Sequence, residues 1–299
     1  MISLSASALG LLVWAAPAGP AAPEEPPVPV AIVTRLRGTA SLAGSPSGRT
    51  SLSLFQRLNA GGQLEVGPDS DLVVVFGNGR RYLLGHGAVA LLGREELFGR
   101  RGPVTALSPL PPLPTLARIR ADERAGSRAA AVRIRGERID GLHPRSGESA
   151  PVSGAVLRFE RVSGAARYRV EVRDEAGGLW QLTTAETRVA VPPGLLKPEA
   201  RYSWTVRTVD RAGPMAGGEA DFVTLSAALE AQRAALKEAL EGMGDASSLA
   251  LLAEVDRGLG LVAEASEEAK LALRGAGDDT TLRDALQAFK DETGERGHR

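Results

Sequence analysis

The stretch that decides the fold is Leu72-Val73-Val74-Val75-Phe76-Gly77-Asn78-Gly79-Arg80-Arg81-Tyr82-Leu83-Leu84. Two runs of β-prone residues flank Asn78-Gly79, and an Asn-Gly dipeptide supplies the positive φ angles that a tight hairpin turn demands. Within the first run Leu72, Val74 and Phe76 alternate with other residues, which places them on one face of a strand. The sequence therefore predicts a β-hairpin with one face toward a core.

The segments around this hairpin are also typical of strands and turns. Ala31–Thr34 and Thr39–Leu42 are β-prone runs separated by Gly38, and Val89–Leu92 follows the turn Gly85-His86-Gly87. Runs of this length, bounded by glycine, indicate short strands in a compact sheet structure. We therefore predict a small β module over residues 30–104.

The spacing of apolar residues in this module is similar to that of a known family. Leu58, Gly61-Gly62, Leu64 and Val66 precede the Val-rich strand and its Asn-Gly turn. This pattern resembles the extracytoplasmic domain of FecR-like proteins over about residues 30–100. The resemblance implies a small β fold and a part in extracytoplasmic sensing.

The N-terminus has features of an exported protein. Residues 1–18 combine an apolar run from Leu9 to Ala16 with Ala16-Pro17-Ala18, a small-residue pattern typical of signal-peptide cleavage. The run is shorter than a membrane span requires. Residues 19–29 are Pro-rich and predict an extended tether. We expect a periplasmic or otherwise extracytoplasmic location, with no integral membrane span after signal cleavage.

Residues 105–150 are predicted to be a linker rich in Pro and Arg. The run Pro109-Leu110-Pro111-Pro112-Leu113-Pro114 is typical of a stiff polyproline spacer between domains. Farther along, Ala129–Ile134 is a candidate extra strand for either neighbouring domain.

Residues 151–225 show short strands at regular spacing, separated by Gly and Pro turns, which is the pattern of an antiparallel sandwich. Tyr168, Val170 and Val172 alternate with charged residues, so one face is predicted to be buried and the other wet. The segment from Leu196 to Tyr202, followed by Trp204, resembles the tyrosine corner of fibronectin type III domains. That resemblance implies a module that binds proteins or spaces other domains.

Trp180 is the candidate interaction residue of this sandwich. It lies beside the turn Gly177-Gly178, where a large aromatic side chain can stay accessible. Tyr202, Trp204 and Val206 share one strand face, so they are predicted to be core residues rather than a stacking platform.

After Leu225 the periodicity becomes helical, and residues 226–292 are predicted to form helices followed by a tail, 293–299. Ser226 is a predicted N-cap, and Gly242 and Gly244 are predicted to end the first helix. Residues at the spacing of one tetratricopeptide repeat give the segment a weak resemblance to that family: Leu249, Leu252, Gly260, Ala265 and Ala272. Residues 226–299 carry 15 acidic and 9 basic side chains. We expect this acidic segment to contribute to assembly.

The composition excludes several classes of chemistry. With no Cys, the chain has no disulfide, thiolate zinc site or cysteine nucleophile, and its three His residues are too scattered for an imidazole metal site. His86 in its turn is predicted to be structural, and the two acids Asp69 and Asp71 offer too few oxygens for calcium. Positive charge forms no dense stripe, which argues against nucleic-acid binding. We predict no catalytic, cofactor-binding or metal-binding residue.

One motif imitates a dinucleotide-binding fingerprint. Gly258-Leu259-Gly260-Leu261-Val262-Ala263 matches its glycine spacing, but the fingerprint counts only after a strand in a βαβ unit. Here it lies within helical periodicity, so we interpret the glycines as a helix break.

Three hypotheses on function follow. The leading one is a non-catalytic exported protein-binding or scaffold module of the bacterial cell envelope, with an envelope protein or cell-wall component as partner. The second is an extracytoplasmic sensor in a FecR-type relay. The third, a cell-wall polymer hydrolase, needs a carboxylate pair in a cleft, and the adjacent acids Glu95-Glu96 and Asp278-Asp279 are better explained as solvated surface charge.

Overall fold

The computed structural model describes residues 28–45, 48–114, 137–209 and 215–292. Within these ranges the chain forms two β-sandwiches and four helices that contact both sandwiches. The predicted fold class, mainly antiparallel β with a helical C-terminal segment, is confirmed. The predicted signal peptide, most of the tether, the candidate strand Ala129–Ile134 and the tail 293–299 lie outside the described residues. No helix in the described ranges is both long and apolar enough to span a bilayer.

The first sandwich contains ten strands in two five-stranded sheets. These strands are, in chain order, β1 (Pro29–Arg37), β2 (Ala40–Ser45), β3 (Gly48–Ser51), β4 (Arg57–Asn59), β5 (Gln63–Val66), β6 (Asp71–Phe76), β7 (Arg81–Leu84), β8 (Val89–Leu92), β9 (Leu97–Arg101) and β10 (Val104–Leu107). One sheet has the order β10-β7-β6-β1-β4 and the other β3-β2-β5-β8-β9. Apolar side chains from both sheets fill the space between them, among them the fully buried Leu64, Leu72 and Phe76.

The outer face of the first sheet is buried as well. Val73 and Val75 alternate with the core residues of β6, yet they are only 4% and 1% exposed. Val75 and Ile32 of β1 belong to an apolar cluster that also contains leucines of the C-terminal helices. This explains why the chain is apolar at every position from Leu72 to Phe76, because a strand covered on both faces has no wet side.

The predicted hairpin joins β6 and β7, but its turn is wider than two residues. Only Gly79 has a positive φ, +86°, whereas Asn78 does not. The N–H of Gly79 donates to the carbonyl of Phe76 at 2.9 Å, and the N–H of Phe76 donates to the carbonyl of Arg80 at 2.8 Å. Asn78 supports the turn through its side chain, which accepts from the N–H of Arg80 at 3.1 Å.

The polyproline run differs from the predicted spacer. Leu110 and Leu113 are 6% and 5% exposed and belong to the apolar cluster on the outer face of the first sheet. Their N–H groups donate to the carbonyls of Gly79 and Gly77, both at 2.9 Å. The prolines therefore hold an extended segment against the hairpin turn, and the two leucines between them supply the buried surface.

The second sandwich contains eight strands. They are β11 (Glu137–Arg138), β12 (Glu148–Ala150), β13 (Val156–Arg158), β14 (Tyr168–Asp174), β15 (Gly177–Thr184), β16 (Arg188–Ala190), β17 (Arg201–Thr208) and β18 (Ala216–Thr224). The large sheet has the order β11-β18-β17-β14-β15 with β12 also paired to β18, and the small sheet pairs β13 with β16. β11 and β12 come from the segment predicted as linker, so residues 137–150 are part of this sandwich.

The predicted tyrosine corner is present. The backbone N–H of Lys197 donates to the hydroxyl of Tyr202 at 2.8 Å. Trp204 is fully buried, as predicted, and its indole N–H donates to the carbonyl of Pro144 at 2.9 Å. This bond fixes the segment before β12 to the centre of the large sheet.

Four helices follow: α1 (Ala227–Glu241), α2 (Ala246–Gly258), α3 (Val262–Gly275) and α4 (Thr280–Glu292). The predicted N-cap is confirmed, because Ser226 accepts from the N–H of Leu229 at 3.3 Å. Of the two glycines of the dinucleotide-like motif, Gly258 is the last residue of α2 and Gly260 lies in the turn before α3, which agrees with the interpretation as a helix break. Gly260 has a φ of +78° and lies close to Ser149 of β12, whose N–H donates to its carbonyl at 2.9 Å.

Polar contacts connect the helices to both sandwiches. Glu230 of α1 accepts from the N–H of Ser153 at 2.8 Å, and Glu267 of α3 pairs with Arg158 of β13 at 2.8 Å. On the other side, Glu254 of α2 pairs with Arg57 of β4 at 3.3 Å. The helical segment is therefore the joint between the two sandwiches.

Candidate interaction surface

The large sheet of the second sandwich has one face in the core and one open face. Tyr168, Val170 and Val172 of β14 are fully buried, which confirms the predicted alternation. Arg169 and Arg173 are exposed on the opposite face. A sheet of this kind offers water a regular array of polar side chains.

Two arginines lie opposite each other on this open face. Arg169 of β14 and Arg207 of β17 are directly paired across the strands. Side chains in such positions have Cβ atoms about 4.5–5.5 Å apart, and like charges there repel. Within the described part of the chain, neither guanidinium has a carboxylate within ion-pair distance. The sheet therefore carries two positive charges at this point that form no ion pair with a carboxylate of the described chain.

Glu171, a carboxylate beside the arginine pair, is hydrogen-bonded to another arginine. Glu171, two residues along β14, accepts two hydrogen bonds from Arg173, at 2.9 Å and 3.0 Å. The hydrogen bond from Arg173 lowers the pKa of Glu171, and the charges of Arg207 and Arg169 act in the same direction. Glu171 is thus a fixed anion whose hydrogen-bonding capacity is directed away from the arginine pair.

The arginine pair lines a groove of about 330 Å³, which we call the arginine groove. Its lining consists of Arg169, Glu171, Gln181, Thr205, Arg207, Thr208, Val209 and Met215. Met215 and Val209 are 59% and 36% exposed, so apolar surface borders the charged centre. Amide and hydroxyl groups of Gln181 and Thr205 add donors that can meet a polypeptide backbone.

Trp180 does not lie in this groove. It is on β15, opposite Val172 of β14, and packs partly buried against the edge of the sandwich core. β15 is the outermost strand of the large sheet, with one long edge unpaired in the described structure. The role of Trp180 in binding stays a prediction.

The other residues considered from sequence take separate, structural places. His86 is exposed in its turn, and Asp71 pairs with Arg35 at 3.5 Å. Among the described residues no group of three His, Asp or Glu side chains forms a metal site. The two acid pairs do not form a catalytic cleft, because Glu96 pairs with Arg80 at 2.8 Å and Asp279 caps α4.

Sequence reasoning missed a buried ionic cluster among the helices. Arg233 of α1 donates to both carboxylate oxygens of Asp256 on α2, and Asp256 is fully buried. Glu268 of α3 lies 3.6 Å from Arg233 and 3.5 Å from Lys237. Burial, followed by the charge of Asp256, raises the pKa of Glu268 to about 9. The cluster ties three helices together, and nothing in the spacing of its residues along the chain indicated it.

Comparisons with known proteins give limited similarity. No model of a protein family matches the chain, and no curated protein matches it. A solved structure of FN3tt mut is 14% identical, covers 30% of this chain and 93% of its own, and has a TM-score of 0.23. The chicken CNTN1 FN1-FN3 domains are 12% identical over 63% of this chain and 53% of theirs, with a TM-score of 0.24. The FecR-like and tetratricopeptide-like resemblances have no matching family model and stay predictions from sequence.

Proposed function

We propose that this chain is a non-catalytic, exported binding protein of the cell envelope, and that the arginine groove of its second sandwich holds an extended acidic segment of an envelope protein. The observation that carries the proposal is the cross-strand pair Arg169 and Arg207, which has no carboxylate partner in the described structure. An acidic ligand relieves the repulsion between the two guanidinium groups. Met215 and Val209 beside them suit the apolar side chains of such a segment.

The rest of the fold supports a role as a scaffold. The helices contact both sandwiches through ion pairs and a shared apolar cluster, so the groove is presented on a connected body. The predicted leader and the absence of Cys motivate the extracytoplasmic location. The apolar faces of the described helices are packed inside the protein. Leu271 is the one large apolar side chain of these helices that is exposed.

The test is direct binding of a synthetic peptide. A fluorescein-labelled ten-residue peptide of Glu and Ser is titrated with the purified chain, and binding is followed by fluorescence anisotropy. We expect saturable binding that weakens as salt rises, because the contacts are exposed ion pairs. Replacing both Arg169 and Arg207 by Ala removes two ion pairs with the peptide. At about 0.5–1 kcal/mol of binding free energy for each ion pair, the affinity should fall roughly tenfold.

Arg201→Ala is the matched control. Arg201 is on β17 like Arg207, also faces water, and lies outside the groove. It should bind the peptide as the parent protein does. A Lys and Ser peptide of the same length should not bind. The proposal fails if the acidic peptide does not bind, or if the double variant binds it as tightly as the parent protein.

A further inference from the structure

A second cleft lies between the first sandwich and the helices, at the start of α2. It has a volume of about 280 Å³. Its polar lining comes from the first sandwich and from the beginning of α2. These polar residues are Thr34, Arg35 and Arg37 of β1, Arg81 of β7, and Asp245, Ser247 and Ser248. Val73, Leu110 and Leu240 are among the apolar residues of its wall.

Arg81 is poorly compensated for a partly buried charge. Its Nη1 contacts the carbonyl oxygen of Ser108 at 3.5 Å and the sulfur of Met243 at 3.4 Å. Neither group carries a formal charge, and the contact to the carbonyl oxygen is long for a hydrogen bond. Burial lowers the pKa of Arg81, the charge of Asp245 opposes this, and that of Arg35 adds to it. A guanidinium nevertheless stays protonated, so its positive charge must be compensated by neighbouring polar or anionic groups.

Arg35 lies on β1, separated from Arg81 on β7 by β6, and its guanidinium is also incompletely bonded. Its Nη2 lies 3.5 Å from the carboxylate of Asp71, and its Nε is buried without a hydrogen-bond partner. Arg37, at the rim, is exposed. Three guanidinium groups therefore converge on one cleft, and one of them holds a buried donor with no acceptor.

The two carboxylates near these arginines compensate only part of the positive charge, since Asp71 pairs with Arg35 and the charge of Asp245 acts on Arg81 without an ion pair. Asp245 lines the cleft, but its oxygens accept from the N–H of Ser248 at 2.9 Å and from its hydroxyl at 2.7 Å, which caps α2. Asp71 forms an ion pair with Arg35. A free anion placed between Arg35 and Arg81 would therefore find guanidinium donors that no carboxylate of the described chain saturates.

We propose that this cleft binds a phosphate-type oxyanion, held by Arg35 and Arg81 with Arg37 at the entrance. Planar guanidinium groups match tetrahedral oxyanions because two parallel N–H groups can reach two oxygens. A cleft of about 280 Å³ has room for an anion of the size of phosphate. Since β1 and β7 belong to the first sandwich and residues 245–248 to the helices, the bound anion would strengthen the joint between them.

The test is isothermal titration of the full chain with inorganic phosphate, in a buffer without phosphate and at constant ionic strength. We expect saturable one-to-one binding and a rise in melting temperature with phosphate concentration. Arg81→Met removes the charge but keeps side-chain volume, and should weaken binding by on the order of tenfold to a hundredfold. Arg37→Gln, at the exposed rim, is a second variant that retains the fold and should weaken binding by a smaller factor.

Arg80→Met is the matched control. Arg80 is next to Arg81 in the chain, pairs with Glu96 at 2.8 Å and lies outside the cleft. It should bind phosphate as the parent protein does. A second experiment sediments the protein with phosphatidylglycerol vesicles. If the protein pellets with the vesicles and added phosphate abolishes this, the ligand is a lipid headgroup. If the protein binds phosphate but does not pellet with the vesicles, the ligand is a free anion. The proposal is overturned if neither probe binds, or if Arg81→Met binds like the parent protein.

Discussion

Glu268→Gln should remove a large part of the pH dependence of stability. Glu268 is 5% exposed, and one of its carboxylate oxygens is buried without a hydrogen-bond partner. Asp256 accepts from Nε and Nη2 of Arg233, whereas Glu268 lies 3.5 Å or more from the two cations, Arg233 and Lys237. Burial and Asp256 raise the pKa of Glu268 to about 9, and Glu268 therefore keeps its proton in the folded chain at neutral pH.

The sign of the effect follows from where the proton is bound. In the unfolded chain Glu268 ionises near pH 4.3, whereas in the folded chain it ionises near pH 9. The stabilisation is complete below the unfolded pKa and is lost as pH rises toward the folded pKa. At about 1.4 kcal/mol per pH unit, the free energy of unfolding should fall by about 3 kcal/mol between pH 6 and pH 8 from this cluster.

Gln is isosteric with the protonated acid and does not titrate. The stability difference between Glu268→Gln and the parent should therefore grow in favour of the variant by about 3 kcal/mol from pH 6 to pH 8. Urea unfolding at constant ionic strength, followed by circular dichroism at helical wavelengths, measures it. Glu241→Gln is the control, because Glu241 also approaches Lys237, at 3.7 Å, but its side chain is 55% exposed. Parallel pH profiles for Glu268→Gln and the parent would refute this reasoning.

Two further substitutions test the sandwiches. Tyr202→Phe leaves the N–H of Lys197 at the tyrosine corner without its acceptor and should lower the free energy of unfolding by about 1–2 kcal/mol, measured by urea unfolding. Tyr82→Phe is the control and should cost little, because the hydroxyl of Tyr82 makes no hydrogen bond in the described structure. Equal losses in the two variants would contradict the role of the corner. Gly79→Ala should lower stability by more than about 2 kcal/mol, since its Cβ would lie 1.9 Å from the carbonyl oxygen of Leu110. Gly87 also has a positive φ, +66°, but its Cβ position is open, so Gly87→Ala should lower stability by only about 1 kcal/mol in thermal melts. If Gly79→Ala loses no more stability than Gly87→Ala, the close packing of Leu110 against Gly79 is wrong.

Features that depend on residues close together in the chain were predictable from the sequence. The Asn78-Gly79 hairpin, the alternation along β14, the tyrosine corner and the Ser226 cap were all predictable. Each depends on backbone geometry or hydrogen bonds within a few residues of the chain. Such local preferences are written into residue type and spacing, so one sequence is enough to show them.

The contacts between distant surfaces became visible only in the folded structure. The covering of Val75 by helices, the burial of Leu110 in a Pro-rich run, and the arginine groove all depend on segments distant in the chain. Arg169 and Arg207 become a pair through strand register, and Arg233 meets Asp256 through helix packing. These contacts join residues far apart in sequence, and their free energies come from burial and charge in a shared environment that no local pattern specifies.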